Sequence, residues 1–271
     1  MNKRLAVDIS FTATIACTLM AGIVFSGATV SAAKDDDKKA CGDVPSYAQL
    51  KQALTAARNA PGGNGGFNLD MWGSIVNRDG IVCAVAFTDA DRGSEWPGSR
   101  VISAQKANTA NSFSLPGLAL STANLWSAVQ PGGSLFGLQE SNPVDTAAAY
   151  QGPSSQFGTS GDPLVGNKIG GVNVFGGGLA LYNSNGKIVG GLGVSGDSSC
   201  ADHNIAWRTR HNLNLDFVPG GVGPDATRPD NIVYDITPQA GQMPGVSASG
   251  WGHPVCSAAA TTIAAGLPPV R

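Results

Sequence analysis

Apolar positions at helical spacing first recur at Leu50, Ala53, Leu54 and Ala57, which predicts a helix over Tyr47 to Ala60. Ser46, just after Pro45, is placed to cap it, and Pro61-Gly62-Gly63-Asn64-Gly65-Gly66 ends it. Two apolar runs follow, Met71–Val76 and Ile81–Phe87, split by Asn77-Arg78-Asp79-Gly80. The glycine supplies the positive φ of a hairpin turn. The second run lacks alternation, so it reads as a central strand buried on both faces. Val101–Phe113 predicts a helix with a thin stripe of Ala104, Ala107 and Ala110, suited to close packing on a sheet. Leu118–Val129 predicts another, stopped by Pro131-Gly132-Gly133. Residues 139–173 are rich in Gly, Pro and Ser, and Leu164, Val165 and Ile169 make them an ordered loop region. Leu179–Tyr182 and Lys187–Val194 form a second hairpin around Asn183-Ser184-Asn185-Gly186. Ser198–Asn212 is the last predicted helix, and residues 216–271 read as a Pro/Gly-rich extension wrapped on the core.

Hairpins alternating with helices indicate an α+β domain. Composition sharpens this: charged residues are 13% and there are 37 glycines in 271 residues, which suits a compact domain with many tight turns. Lys and Arg total 17 against 19 Asp and Glu, so the basic footprint of a nucleic-acid binder is missing. No stretch beyond residue 33 is apolar enough to span a bilayer. At the N-terminus, Lys3 and Arg4 precede an uncharged run from Ile9 to Ala33, and Val30-Ser31-Ala32 fits a cleavage site. This predicts an export signal over 1–32, a polar linker over 33–45 and a periplasmic or secreted product. The alternative is an uncleaved anchor.

Cleavage leaves Cys41, Cys83, Cys200 and Cys256. An even number in an oxidising compartment predicts two disulfides, with three pairings open. Cys200–Cys256 is favoured because it ties the tail to the last core helix, with Cys41–Cys83 by elimination. No C-x-x-C spacing occurs, which disfavours a zinc ribbon and covalent haem attachment.

Gly191-Leu192-Gly193-Val194-Ser195-Gly196 fits the spacing of a dinucleotide fingerprint. Its strand belongs to an Asn-Gly hairpin, hence to an antiparallel pair, whereas the fingerprint needs a parallel βαβ unit. A glycine-rich strand end packed on another backbone is the plainer reading, with anion binding at the start of the following helix as a further option. His203, Trp207 and His211 share one face of that helix. The two histidines are about 12 Å apart along the axis, so they cannot ligate one metal together. Each alone, or His253 in the tail, is a candidate axial ligand for haem iron, His203 first; the plain alternative is an ordinary hydrogen-bonded histidine. Arg208 and Arg210 are candidates to pair a carboxylate or propionate, and Lys106 is a further candidate contact, each set against a solvated surface role. Gly-x-Ser-x-Gly and His-Glu-x-x-His motifs are absent, and Ser195 has no recognisable histidine partner, so catalysis has less support than binding.

Three segments together resemble the GlcG/HbpS family of haem-binding proteins, which includes the C-terminal domain of PduO. They are Val85-Ala86-Phe87-Thr88-Asp89, Lys106-Ala107-Asn108-Thr109-Ala110-Asn111-Ser112-Phe113, and Phe175-Gly176-Gly177-Gly178 with Ile188 to Gly196. Asp197 and Asp202 then begin a helix. The likeness covers about residues 46–212, within a domain set at 46–215. It implies a profilin-like antiparallel sheet flanked by helices, self-assembly into a homo-oligomer, and non-covalent binding of haem or a related planar ligand for sequestration, sensing or delivery. On that expectation His203 ligates iron, Trp207 packs on the porphyrin, and Lys106, Arg208, Arg210, Gly193, Ser195 and His211 complete the candidate contacts. Two other readings stand beside it: an accessory protein or enzyme of small hydroxy-acid or alcohol oxidation, and a ligand-free assembly factor. The loop 139–173 and the tail 216–271 depart from the family pattern.

Overall fold

The computed structural model describes residues 40–271; the expected signal and most of the polar linker lie outside them. Helix α1 (Tyr47–Arg58) starts at Ser46, whose side chain accepts the Gln49 N–H while Gln49 returns to the Ser46 N–H. This reciprocal cap satisfies two backbone donors that the first turn otherwise leaves open. Strands β1 (Trp72–Asn77) and β2 (Val82–Phe87) form the first hairpin, with Gly80 at φ 77°. Strands β3 (Gly178–Tyr182) and β4 (Ile188–Ser195) form the second. The sheet order is β2-β1-β4-β3, antiparallel throughout; Ile75 stands opposite Ala84 on one side and Leu192 on the other. The glycine-rich run therefore lies on a central antiparallel strand, which excludes a dinucleotide fold there.

Helix α2 (Ser99–Phe113) packs on one face of the sheet. Helices α1 and α4 (Ser199–Asn212, capped by Ser198) cover the other. One core layer joins Leu50, Leu54, Ile75, Leu192, Ile205 and Trp207; a second joins Val76, Val85, Val101, Ala104 and Ala107 on the α2 side. The α+β fold expected from the sequence is what forms.

Two elements differ from expectation. Strand β2 is an edge strand, yet it is buried on both faces, because the 139–173 loop covers its edge: Val82 N–H donates to Asn167 O, and Gly166 N–H to Val82 O, both at 2.9 Å. A non-alternating run reports burial, not position in the sheet. Residues 118–129 are not a helix: only Ser127–Val129 makes a 3₁₀ turn. Ser114 Oγ bonds both backbone ends of Leu120, Asn124 Oδ1 takes the Ser121 N–H and hydroxyl, and Ala119 N–H donates to Gly220 O. Ser, Thr and Asn side chains here outcompete the helical ladder.

The 139–173 segment holds one α-helical turn, α3 (Thr146–Ala149), and a 3₁₀ turn at Ser154–Gln156. Arg100 pins it to α2. Its guanidinium grips Asp162 and donates to Ala149 O at 3.0 Å, and it lies 3.6 Å over the Phe157 ring. The tail contributes a hairpin, β5 (Ile236–Gln239) and β6 (Gln242–Ser247), and helix α5 (Ala258–Ala265), whose Ala260 and Ala264 join the core beside α4. Both favoured disulfides form, Cys41–Cys83 and Cys200–Cys256. No helix among the described residues is long and apolar enough to cross a membrane.

Candidate functional site

Strand β4 ends against α2 so closely that a Cβ at Gly193 would overlap the Ser103 carbonyl, and one at Gly191 the Ala107 carbonyl. Gly193 thus sits under the helix, where its missing side chain sets the approach of α2 to the sheet. That approach delivers Lys106 to the end of β4. Its Nζ donates to Asp202 Oδ2 at 2.7 Å and to Val194 O at 3.1 Å, with both side chains almost fully buried. Asp202 Oδ1 takes the Asp197 N–H at 2.9 Å, and the Asp197 carboxylate takes the Phe67 N–H at 2.9 Å, so the pair is stitched to two loops. Burial raises the Asp202 carboxyl to about 6, against the opposing pull of the Lys106 ammonium.

Above this pair is a cleft of about 290 Å³ lined by Trp96, Ile102, Lys106, Phe175, Ser195 and Asp202. Lys106 is committed to Asp202, so its charge is not free to attract a carboxylate, which weakens the small hydroxy-acid reading. The N–H groups opening α4 are also taken, by Ser198 Oγ at Ala201 and by Cys256 Sγ at Cys200, so the anion-site option has no open donor pair there. Behind the cleft lies Glu95, which the sequence did not single out. It is 5% exposed and its Oε1 accepts from Ser99 Oγ at 2.7 Å. Among the described residues Oε2 and the Trp72 Nε1 have no partner at full hydrogen-bonding geometry, though the indole N–H lies near enough to favour the ionised carboxyl. Burial, aided by the Asp202 charge, lifts this carboxyl to about 7 against the hydrogen bond from Ser99. A carboxylic acid in an irregular Arg-Gly-Ser-Glu-Trp-Pro segment gives no sequence signal, because its chemistry comes only from what folds around it.

A second cleft lies on the other side of the 91–98 loop. It measures about 420 Å³, and its walls are Trp72, Val101, Phe157 and Pro97, with Asp91, Arg92, Arg100 and Tyr150 also lining it. Trp72 stacks on Phe87 with centroids 4.5 Å apart, which fixes the indole wall. Among the described residues neither the Arg92 guanidinium nor the Tyr150 hydroxyl has a hydrogen-bond or ionic partner. The cleft has the size and apolar lining of a small-molecule site, with a few polar groups free to orient a ligand.

The α4 candidates lie elsewhere, beneath the tail. His203 is fully buried; its Nε2 meets the Ile232 amide and the Asn231 side chain, each at 3.1 Å, and burial pushes its pKa down to about 3. Trp207 is in the core, its indole donating to Pro268 O at 2.9 Å. Arg210 is fully buried in a two-point pair with Asp230, at 2.5 and 2.9 Å. Arg208 holds Gly63 O at 2.7 Å and the Asn64 side chain. His211 Nδ1 is 2.7 Å from Asp216, a carboxylate shared with Arg271. His253 is buried, with Nδ1 2.8 Å from Pro254 O and Nε2 taking the Gly176 N–H; burial lowers it to about 4. The tail thus fills the face where His203, Trp207 and Arg210 were expected to meet a porphyrin. These residues do not fit a histidine-ligated haem. The apolar cleft instead combines aromatic walls with an arginine and a phenol that have no side-chain partner among the described residues.

No curated protein matches the chain. Among the solved structures similar to it are these two. One is described as a PduOC:heme complex, with 24% identity, a TM-score of 0.43, and coverage of 62% of this chain and 91% of that one. The other is protein ORFY of Klebsiella pneumoniae, with 26% identity, a TM-score of 0.40, and coverage of 60% and 87%. The family described as haem degrading protein HbpS-like matches residues 46–210, the stretch that runs from the α1 cap through the sheet to Arg210 in α4. Because that match takes in more than half of the chain, the protein belongs to the HbpS-like family.

Proposed function

We propose that this protein is an exported binding protein for haem or a related planar, acidic ligand, held non-covalently in the apolar cleft beside α2. Membership of a haem-related family supports the ligand class. The observation that carries the site is the pairing of the Trp72, Val101 and Phe157 walls with Arg92, whose guanidinium has no partner among the described residues. In this reading the walls meet the ring by dispersion and stacking, Arg92 pairs a propionate, and Tyr150 offers the oxygen donor to iron. When bound, the iron would supply redox and ligand-sensing chemistry. The chain's own residues select the plate-like shape, orient its acidic edge outward and keep water from its buried face. The two disulfides are compatible with an oxidising compartment. The reading includes a leader removed near Ala33 and a homo-oligomer; N-terminal mass analysis of the exported product and light scattering test these two parts.

The deciding experiment titrates the purified protein with haem and with metal-free protoporphyrin IX, following the Soret band and tryptophan quenching. Both are expected to bind. Arg92→Ala should weaken both by about 3–10-fold, the range of a partly exposed charge-assisted contact. Tyr150→Phe should shift the haem Soret band and leave metal-free binding unchanged. Failure of both ligands to bind, or binding indifferent to both substitutions, overturns the reading.

A further inference from the structure

The Cys200–Cys256 bridge has a chemical neighbourhood unlike that of a plain staple. Cys200 is fully buried in the first turn of α4, whereas Cys256 is exposed. Cys256 Sγ accepts the Cys200 N–H at 3.3 Å and lies 3.5 Å from Ser199 Oγ, so it occupies the N-terminal end of a 14-residue helix. Helix N-termini stabilise a thiolate over a thiol. The third member is His253, two residues before Val255 and tucked under the same turn. A ring nitrogen of His253 and the two sulfurs all lie within 4.8 Å of one another.

Zinc takes sulfur at about 2.3 Å and imidazole nitrogen at about 2.0–2.1 Å in a tetrahedron, which sets ligand atoms roughly 3.5–3.8 Å apart. Opening the S–S bond to that separation and drawing in the imidazole needs shifts on the order of an ångström, and the ligating ring nitrogen gives up its present hydrogen bond to the Gly176 N–H or to Pro254 O. Two thiolates and one imidazole with a fourth position open to water form a known zinc ligand set. The exposure of Cys256 gives the ion a path of entry, and it leaves the open position facing solvent.

We infer that reduction of this disulfide converts it into a Cys₂His site for a thiophilic cation of the zinc(II) class, built from Cys200, Cys256 and His253. The reductant is a dithiol. One of its thiolates attacks the exposed Cys256 sulfur, the S–S bond breaks, and its electron pair leaves on Cys200 near the α4 N-terminus. The second thiol of the reductant then displaces Cys256, and the reductant departs as a disulfide. Two electrons and two protons have moved to the protein. Metal binding releases those two thiol protons to solvent. The metal then does what the disulfide did, clamping the 253–267 segment onto α4, so the tail stays docked in either redox state. The inference stands independently of the porphyrin reading.

The test uses the full-length mature protein, reduced with a phosphine under argon and titrated with cobalt(II), then zinc(II) in competition. The expected result is one cobalt per chain with a thiolate-to-cobalt charge-transfer band, displaced by zinc, and no such band in the oxidised protein. His253→Gln should lower the affinity at least tenfold, and a Cys41→Ser/Cys83→Ser variant should keep the full band at one cobalt per chain. Far-ultraviolet circular dichroism of each reduced variant establishes that it is folded. If His253→Gln does not fold, His253→Asn replaces it, and cobalt-shifted imidazole proton resonances in the unsubstituted reduced protein report the histidine directly. No cobalt band in the reduced protein, a band that persists at full affinity without the imidazole, or a band lost with Cys41 and Cys83 would each overturn the inference.

Discussion

At the scale of single residues, the strongest commitments are charges buried where water cannot reach. Lys106 and Asp202 neutralise each other between α2 and α4. Lys106→Met should cost about 3–5 kcal/mol, because it strands a buried carboxylate rather than deleting a contact. Loss of the ammonium pushes the Asp202 carboxyl further up from about 6, so at pH 5 the acid takes a proton and escapes part of the cost. Urea denaturation should therefore show a larger loss at pH 8 than at pH 5, and Lys106→Met/Asp202→Leu should recover much of it; equal losses at both pH values would contradict the argument. Glu95 makes the complementary case. Its folded pKa of about 7 stands above the ordinary 4.5. The unfolded chain gives up its proton first, so stability falls as pH rises from about 4.5 to about 7 and is flat outside that window. Glu95→Gln keeps an acceptor for Ser99 and removes the penalty. It should match the parent near pH 4 and exceed it by on the order of 1–3 kcal/mol at pH 8. A variant that is less stable than the parent at pH 8 would show that the ionised carboxylate is needed.

At the scale of elements, the defining contact is α2 on β4 through glycine. Gly191 and Gly193 present bare backbone to Ala107 and Ser103, and the alanine stripe of α2 matches them. Gly193→Ala should destabilise the protein by roughly 3 kcal/mol or more, since the overlap is with helix backbone and cannot be relieved by a side-chain rotation. It should also perturb the Lys106 cleft, because the same crossing delivers Lys106. A denaturation midpoint within error of the parent would refute the packing role. The helix starts were legible for a related reason: Ser46 and Ser198 cap from immediately adjacent sequence, and local hydrogen bonds need no tertiary partner. The 118–129 segment was illegible because its apolar spacing suits a helix while Ser121 and Asn124 bond each other locally and Thr122 and Asn124 bond backbone elsewhere. Thr122, for example, takes the Gly178 N–H at 2.8 Å, a contact that exists only after folding.

At the scale of the whole molecule, the tail and the 139–173 loop decide which surfaces remain open. The tail closes the α4 face. Its helix α5 packs beside Ala206 and Trp207, and the Cys200–Cys256 bridge locks it across a separation of 56 residues. In the chain-entropy model a loop of that length is worth about 4 kcal/mol. Cys200→Ser/Cys256→Ser, prepared without added metal, should lower stability by about 2–4 kcal/mol and expose the chain to proteolysis beyond residue 213 before the sheet is cut. Unchanged stability and an unchanged cleavage pattern would show that the tail docks without its bridge. The 139–173 loop does the opposite: Arg100 and Asp162 hold it so that Phe157 and Tyr150 flank the α2 start and create a cleft.

Taken alone, the chain determined those features set by neighbours in sequence: two hairpins from turn tetrapeptides ending in glycine, three of the four expected helices, and the α+β class. The family likeness rested on the same local segments, Lys106–Phe113 and the β4 glycine run. The disulfide pairing followed from the sense that a tail must be tied to the core. Only the tertiary structure decided that β2 is an edge strand hidden by a loop, that Glu95 titrates near neutrality, and that His203, Trp207 and Arg210 are sealed beneath residues 230–268. Burial is a property of what arrives from elsewhere in the chain. Helical spacing put His203 and Arg210 in α4, but whether that turn faced solvent, ligand or core was settled by Asp230, Ile232 and Pro268, which no periodicity within α4 encodes.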